Sequence, residues 1–111
     1  MTSTDLDKTA KTVMASVNYL NYHAEIYYIG DLGSGYSYIY EAWVTDRDQA
    51  AKIKAVYEAQ NPGREFWMTL DDPEWDEKMA AYYYNEGMTL DEAGAELLDD
   101  LKDMIALYEA I

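Results

Sequence analysis

Residues 71–111 carry thirteen acidic and two basic side chains, a net charge of −11, whereas residues 1–70 carry nine acidic and six basic, a net of −3. Carboxylates are seldom fully buried unless something compensates them, so an element built from this end can turn only one face inward. An amphipathic helix meets that demand, and residues 89–111 have its pattern. Thr89 and Glu92 form a T-x-x-E capping box, and Leu90, Gly94, Leu97, Leu101, Met104, Tyr108 and Ile111 recur at an average spacing of 3.5 residues, with Leu98 and Ile105 widening the stripe. On the opposite side Glu92, Glu96, Asp99 and Asp103 fall at i, i+4, i+7 and i+11, with Asp100 on their flank. That row is about 16 Å long at about 1.5 Å per residue, a length in which one DNA strand presents about five phosphates.

The remaining elements follow from local pattern. Leu6, Ala10, Val13, Val17 and Leu20 alternate steps of four and three and predict a first helix ending near Asn21, capped by Ser3 or Thr4. Glu25 to Ile29 and Tyr36 to Val44 are rich in β-branched and aromatic residues and read as a hairpin turning through Gly30, Gly33, Ser34 and Gly35. Asp46 with Gln49 opens a helix packed through Ala50, Ile53 and Tyr57, which Pro62 and Gly63 stop. A third strand is predicted at Glu65 to Leu70, and Asp72 and Pro73 have the cap and first-turn arrangement of a helix running toward Asn85 and closed by Gly87. The order is α-β-β-α-β-α-α: an α+β fold, a small three-stranded antiparallel sheet with packed helices. Residues 1–111 read as a single acidic domain without linker or repeat.

Composition narrows the function. The formal charge of −14 repels nucleic acid and membranes and attracts cationic protein surfaces, so direct nucleic-acid binding is not expected. No Cys is present, no apolar run reaches the roughly 20 residues of a membrane span, and the N-terminus lacks the features of a secretion signal; a cytoplasmic protein is expected. His23 is the sole His, and neither G-x-S-x-G nor H-E-x-x-H occurs, so no enzyme, cofactor or metal site is expected. The EF-hand spacing is absent around Asp71-Asp72-Pro73-Glu74. Gly30 to Gly35 precedes a strand rather than a helix, which argues for a turn and against a phosphate loop. Tyr36, Tyr38 and Tyr40 share one face of their strand, but base stacking also needs a cationic groove.

A second acidic group, Asp71, Asp72, Glu74, Asp76 and Glu77, opens the predicted penultimate helix, where the helix dipole favours anions. Tyr82, Tyr83 and Tyr84 would point three ways on that helix and offer aromatic anchors beside the acids. From Ile26 to about residue 76 the chain is similar to the N-terminal part of the ArdA antirestriction proteins: Ile26-Tyr27 opens a strand, Gly33 and Gly35 mark a turn, Trp43-Val44 leads to Asp46, and Phe66-Trp67 is followed by acids. That resemblance implies an acidic DNA mimic acting through distributed carboxylates with no catalytic residue.

The leading expectation is a non-enzymatic anti-defence protein of phage or mobile-element type, anti-restriction or anti-CRISPR, whose carboxylates compete for the cationic DNA site of a DNA-binding or nuclease protein. Its partner-binding residues are the two acidic groups, with the three tyrosines as anchors. The alternatives are an immunity or antitoxin protein capping a basic toxin, and a housekeeping domain whose acidity serves solubility. Homodimerisation stays open.

Overall fold

The computed structural model describes residues 12–30, 35–70 and 79–111. Its element order is β1 (Thr12–Tyr19), β2 (Tyr22–Tyr28), β3 (Tyr38–Val44), α1 (Arg47–Gln60), β4 (Thr69–Leu70), β5 (Ala81–Met88) and α2 (Leu90–Ala110). Among the described residues all strand pairs are antiparallel and form one five-stranded sheet in the order β1-β2-β3-β5-β4. The three-stranded sheet is therefore overturned, and among the described residues the order begins with a strand instead of a helix. Among the described residues no helix is long and apolar enough to cross a membrane.

The predicted first helix is a strand over its described part, β1. Thr12, Val13 and Val17 are β-branched, and Ala15, Val17 and Tyr19 also alternate, so the stretch carries a period of two as well as the helical spacing. Pairing decides between the two patterns: Tyr19 meets Tyr22 across a two-residue turn, and the ladder runs from there to Thr12↔Tyr28 with one irregularity at Met14. Leu20, in the turn, adopts φ 51°. The capping residues Ser3 and Thr4 lie outside the described residues.

The central hairpin follows the sequence pattern, with β2 and β3 in register from Tyr22↔Val44 to Tyr28↔Tyr38. Ile29 N–H donates to the Ser37 carbonyl at 3.1 Å, and Gly30 and Gly35 take φ of 117° and 79° that only glycine adopts freely. Alternation sorts the faces. Tyr22, Ala24 and Ile26 of β2 and Tyr40, Ala42 and Val44 of β3 are buried under the helices with Ala50 and Ile53 of α1 and Ala93, Leu97, Met104 and Leu107 of α2. Full burial of such a side chain is worth about 1.5–3 kcal/mol, which makes this layer the main source of stability.

The predicted third strand shrinks to Thr69–Leu70. Phe66 and Trp67 pack on each other at 4.6 Å and on Tyr57 of α1, while Phe66 N–H donates to Glu58 at 3.1 Å, so this stretch is fixed against the helix instead of in the ladder. The predicted helix running to Asn85 is overturned from Ala81 onward, where β5 inserts between β3 and β4. Three consecutive tyrosines favour a strand, and β3 supplies a partner along Trp43↔Tyr82, Ala42↔Tyr83 and Glu41↔Tyr84. Gly87 closes no helix. It takes φ 71° beside the irregularity between Tyr40↔Asn85 and Tyr38↔Met88, where β5 holds one extra residue.

Both observed helices begin at their predicted caps. Asp46 accepts from Gln49 N–H at 2.8 Å, and the Thr89–Glu92 box is complete, with bonds of 3.1 and 3.0 Å in its two directions. The inward face of α2 differs from the leucine stripe: Ala93, Leu97, Asp100, Met104, Leu107 and Tyr108 are buried, whereas Leu90, Leu98 and Ile111 are exposed. The helix is turned roughly 50° about its axis relative to that stripe, at about 100° per residue.

Candidate partner-binding surfaces

That rotation reorganises the acidic row. Glu92, Asp99 and Asp103 are exposed, Glu96 is half-buried, and Asp100 is only 8% exposed. Tyr40 O–H donates to Asp100 Oδ2 at 2.6 Å, and the Tyr22 and Tyr40 hydroxyls are 3.1 Å apart. Because Tyr40 gives its proton to the carboxylate, Tyr22 is left to donate to Tyr40. Burial pushes the Asp100 carboxyl up to about 7, and Glu96 and Asp103 raise it further, against the lowering effects of Tyr40 and Trp67. Trp67 Nε1–H has no partner of hydrogen-bonding geometry among the described residues, yet it lies near enough to the carboxylate to favour its charge. Burial likewise raises both tyrosine hydroxyls far above their ordinary range. Asp100 is thus the end of a buried hydrogen-bond chain, inside the ridge rather than on it.

The exposed row remains coherent. Seven carboxylates and one cation, Lys102, stand on α2; of its five exposed acids, Glu92, Asp99 and Asp103 lie within a narrow angular range on one side of a capped 21-residue helix, and Asp91 and Glu109 lie off that row. Asp103 borders a cleft between the helices with Tyr57, Gln60 and Arg64, which shows that the acidic side of α2 is turned toward α1. The other predicted group, Asp71, Asp72, Glu74, Asp76 and Glu77, lies outside the described residues.

Tyr82, Tyr83 and Tyr84 point two ways, not three, because they stand on a strand. Tyr83 faces the helices, its ring 5.8 Å from Tyr40; burial, then Glu96 beside it, raises its hydroxyl. Tyr82 and Tyr84 face away from the helices, stacked at 6.5 Å with planes 12° apart. They join a surface that the sequence reading did not single out. The register puts His23, Trp43 and Tyr82 in one cross-strand row and Glu25, Glu41 and Tyr84 in the next, all on the sheet face opposite the helices. His23 stacks on Trp43 at 5.5 Å and bonds to Asn18. Tyr82 O–H donates to Glu41, and Tyr84 O–H donates to Glu86 at 3.0 Å.

Glu25 directly opposite Glu41 is a like-charge cross-strand pair, which costs stability. No Lys or Arg stands on any strand among the described residues; Arg47, Lys52 and Lys54 are on α1, Arg64 follows it and Lys102 is on α2. The signal for this face was the alternation in 22–26 and 40–44, which puts His23, Glu25, Glu41 and Trp43 together once the strands pair. Among the described residues no group of three or more His, Asp or Glu is arranged to hold a metal ion. No family model, curated protein or solved structure matches this chain.

Proposed function

We propose that the protein is a non-enzymatic acidic inhibitor that occupies the cationic DNA site of a DNA-binding or DNA-processing protein, its carboxylates standing where phosphates would sit. The observation that carries this reading is the solvent-facing row Glu92, Asp99 and Asp103 on α2, with Glu96 at its margin. A capped helix holds these charges in a fixed line, so little ordering entropy is lost when a partner's Lys and Arg engage them. The resemblance of residues 26–76 to the ArdA proteins points the same way. Such an inhibitor works by competition, and its charge accelerates encounter.

A second reading, an immunity or antitoxin protein capping a basic toxin, draws on the opposite surface. Tyr84 is 43% exposed beside Tyr82, Trp43 and the Glu25–Glu41 pair, a combination of aromatic rings and carboxylates suited to anchoring arginine side chains.

The test couples the protein to a resin, captures host proteins, and elutes them in salt steps. Captured proteins are then assayed for DNA binding with and without the inhibitor. Combined Glu92→Gln, Asp99→Asn and Asp103→Asn substitution should abolish competition while leaving the helix intact. Competition that survives those changes but fails with Glu25→Gln and Glu41→Gln would move the site to the sheet. A captured protein whose DNA binding is untouched by the inhibitor would refute mimicry.

A further inference from the structure

Two buried polar groups on facing elements stand beside each other without being joined. Asp100, midway along α2, is 8% exposed and accepts from Tyr40 O–H at its Oδ2. An ionised carboxylate has room for several donors, and away from water it needs more than one. The Trp67 indole N–H is buried with no partner of hydrogen-bonding geometry among the described residues, yet it is near enough to Asp100 to favour the charged form. An indole nitrogen can only donate, and a buried donor left without an acceptor costs stability. Each group has what the other lacks.

Trp67 is placed by packing instead of by the strand ladder. Its ring meets Phe66 at 4.6 Å and Tyr57 of α1 at 5.7 Å, both edge to face, and the chain is anchored one residue earlier by Phe66 N–H on Glu58. Pairing of β4 with β5 begins at Thr69. The indole can therefore tilt slightly toward α2 without breaking a ladder bond. The groups facing Asp100 are Tyr22 of β2, Tyr40 of β3 and Tyr83 of β5, with Glu96 and Asp103 one turn away on α2 itself. Tyr57 of α1 and Arg64 stand across the cleft that Asp103 borders. Burial raises the hydroxyls of Tyr22, Tyr40 and Tyr83, so they stay protonated through neutral pH, and Lys54 holds Glu58 below its ordinary range. Asp100, which burial pushes up to about 7, changes charge in that range.

We propose that Trp67 is a second donor held in reserve for Asp100: when the carboxyl loses its proton the indole N–H closes onto the carboxylate, and when the proton returns that bond opens. The arrangement described, with one donor engaged and one idle, is that of the protonated acid, which has lost an acceptor site to its own proton. The ionised form takes both donors, and a bond to a charged oxygen is shorter and stronger than one to a neutral oxygen. This switch ties α2 to the stretch Phe66-Trp67, which leads in the sequence through β4 into Asp71 and Asp72. It operates whether or not the acidity of the chain serves competition for a DNA site.

The experiment follows two resonances of the intact chain by NMR from pH 5 to 8.5: the Trp67 indole proton and the Asp100 side-chain carboxyl carbon. Loss of one indole signal in Trp67→Phe assigns that proton and separates it from the indole of Trp43, which stacks on His23 on the opposite sheet face. As pH rises, the Trp67 proton should move downfield with a midpoint near 7 that coincides with the midpoint of the Asp100 carbon. In Asp100→Asn it should stop titrating. Trp67→Phe keeps a ring against Phe66 and Tyr57 but removes the donor, so the Asp100 midpoint should rise by about 1 pH unit, a tenfold change in acidity. Both midpoints are read in the unaltered chain, so the comparison stands even where a variant folds poorly. An indole proton that stays still while Asp100 titrates overturns the proposal. So does one that titrates unchanged in Asp100→Asn, an Asp100 midpoint indifferent to folded Trp67→Phe, or an Asp100 carbon that does not titrate between pH 5 and 8.5.

Discussion

Asp100→Asn should remove most of the pH dependence of stability between pH 5 and pH 8. In the folded protein the Asp100 carboxyl sits at about 7 instead of 3.8, chiefly because burial disfavours its charge. In the unfolded chain it ionises near its ordinary value, so between about pH 4 and 7 the folded state holds a proton that the unfolded state has released. Stability therefore falls as pH rises through that window and stays low above it, the reverse of a carboxylate held by a salt bridge. The full difference corresponds to about 4 kcal/mol at about 1.4 kcal/mol per pH unit, and about 2.5 kcal/mol of it is lost between pH 5 and 8. Asparagine keeps an acceptor for Tyr40 O–H but cannot ionise.

Urea denaturation, followed by circular dichroism at closely spaced pH values, measures the effect without the screening that guanidinium chloride would add. The quantity to compare is wild type minus variant. The other titratable groups are common to both proteins, and their contribution largely cancels in that difference. The two stability curves should diverge by about 2–3 kcal/mol across the window, on the order of 10–20 °C in Tm for a domain of this length. Curves that run parallel to within about 0.5 kcal/mol would show that Asp100 is ionised in the fold at no cost, and the buried hydrogen-bond chain would lose its claim to set the pH response.

Tyr108→Phe should be neutral or stabilising by up to about 1 kcal/mol in the same urea assay, because the buried hydroxyl has no hydrogen-bond partner among the described residues while the ring contact with Tyr19 is kept. Leu20→Gly should raise stability by about 0.5–1 kcal/mol: a leucine at φ 51° is strained by roughly 1–2 kcal/mol, partly offset by the greater freedom of glycine when unfolded, and a decrease would mean that the exposed leucine packs on something. Tm should rise steadily from 0.01 to 1 M NaCl, as the reach of the −14 charge falls from roughly 30 Å to about 3 Å; a flat profile would show that the charges are too dispersed to repel.

What could be read from the sequence divides along physical lines. The helices Arg47–Gln60 and Leu90–Ala110 were legible because their starts are local: Asp46 with Gln49, and Thr89 with Glu92, satisfy backbone donors three residues away. The β2–β3 hairpin was legible because alternation and glycine turn chemistry agree. Residues 12–19 were not, since their apolar positions fit both periods, and only the partner strand 22–28 selects one. Ala81–Met88 failed for a related reason. The cap-like Asp72-Pro73 suggested helix, whereas the preference of Tyr82, Tyr83 and Tyr84 for a strand needed a neighbour far earlier in the chain, as in the pairing of Ala42 with Tyr83, 41 residues apart. Asp100 shows the limit for the site. Its place beside Asp99 looks like surface charge, and nothing local reveals that Tyr40, 60 residues away, is waiting with a hydroxyl.

The two anionic surfaces are not equivalent. On α2 the carboxylates are spaced along a helix, where solvent and salt readily relieve their repulsion, so the row is cheap for the fold to maintain. On the sheet, Glu25 and Glu41 are directly opposed on neighbouring strands, with no Lys or Arg on any described strand. Glu41 is engaged by Tyr82, but Glu25 adds repulsion that a neutral residue would remove. Glu25→Gln should therefore leave the fold as stable or more stable. Any binding lost with that substitution would then be lost despite a sound scaffold, and would identify a surface where stability has been exchanged for recognition.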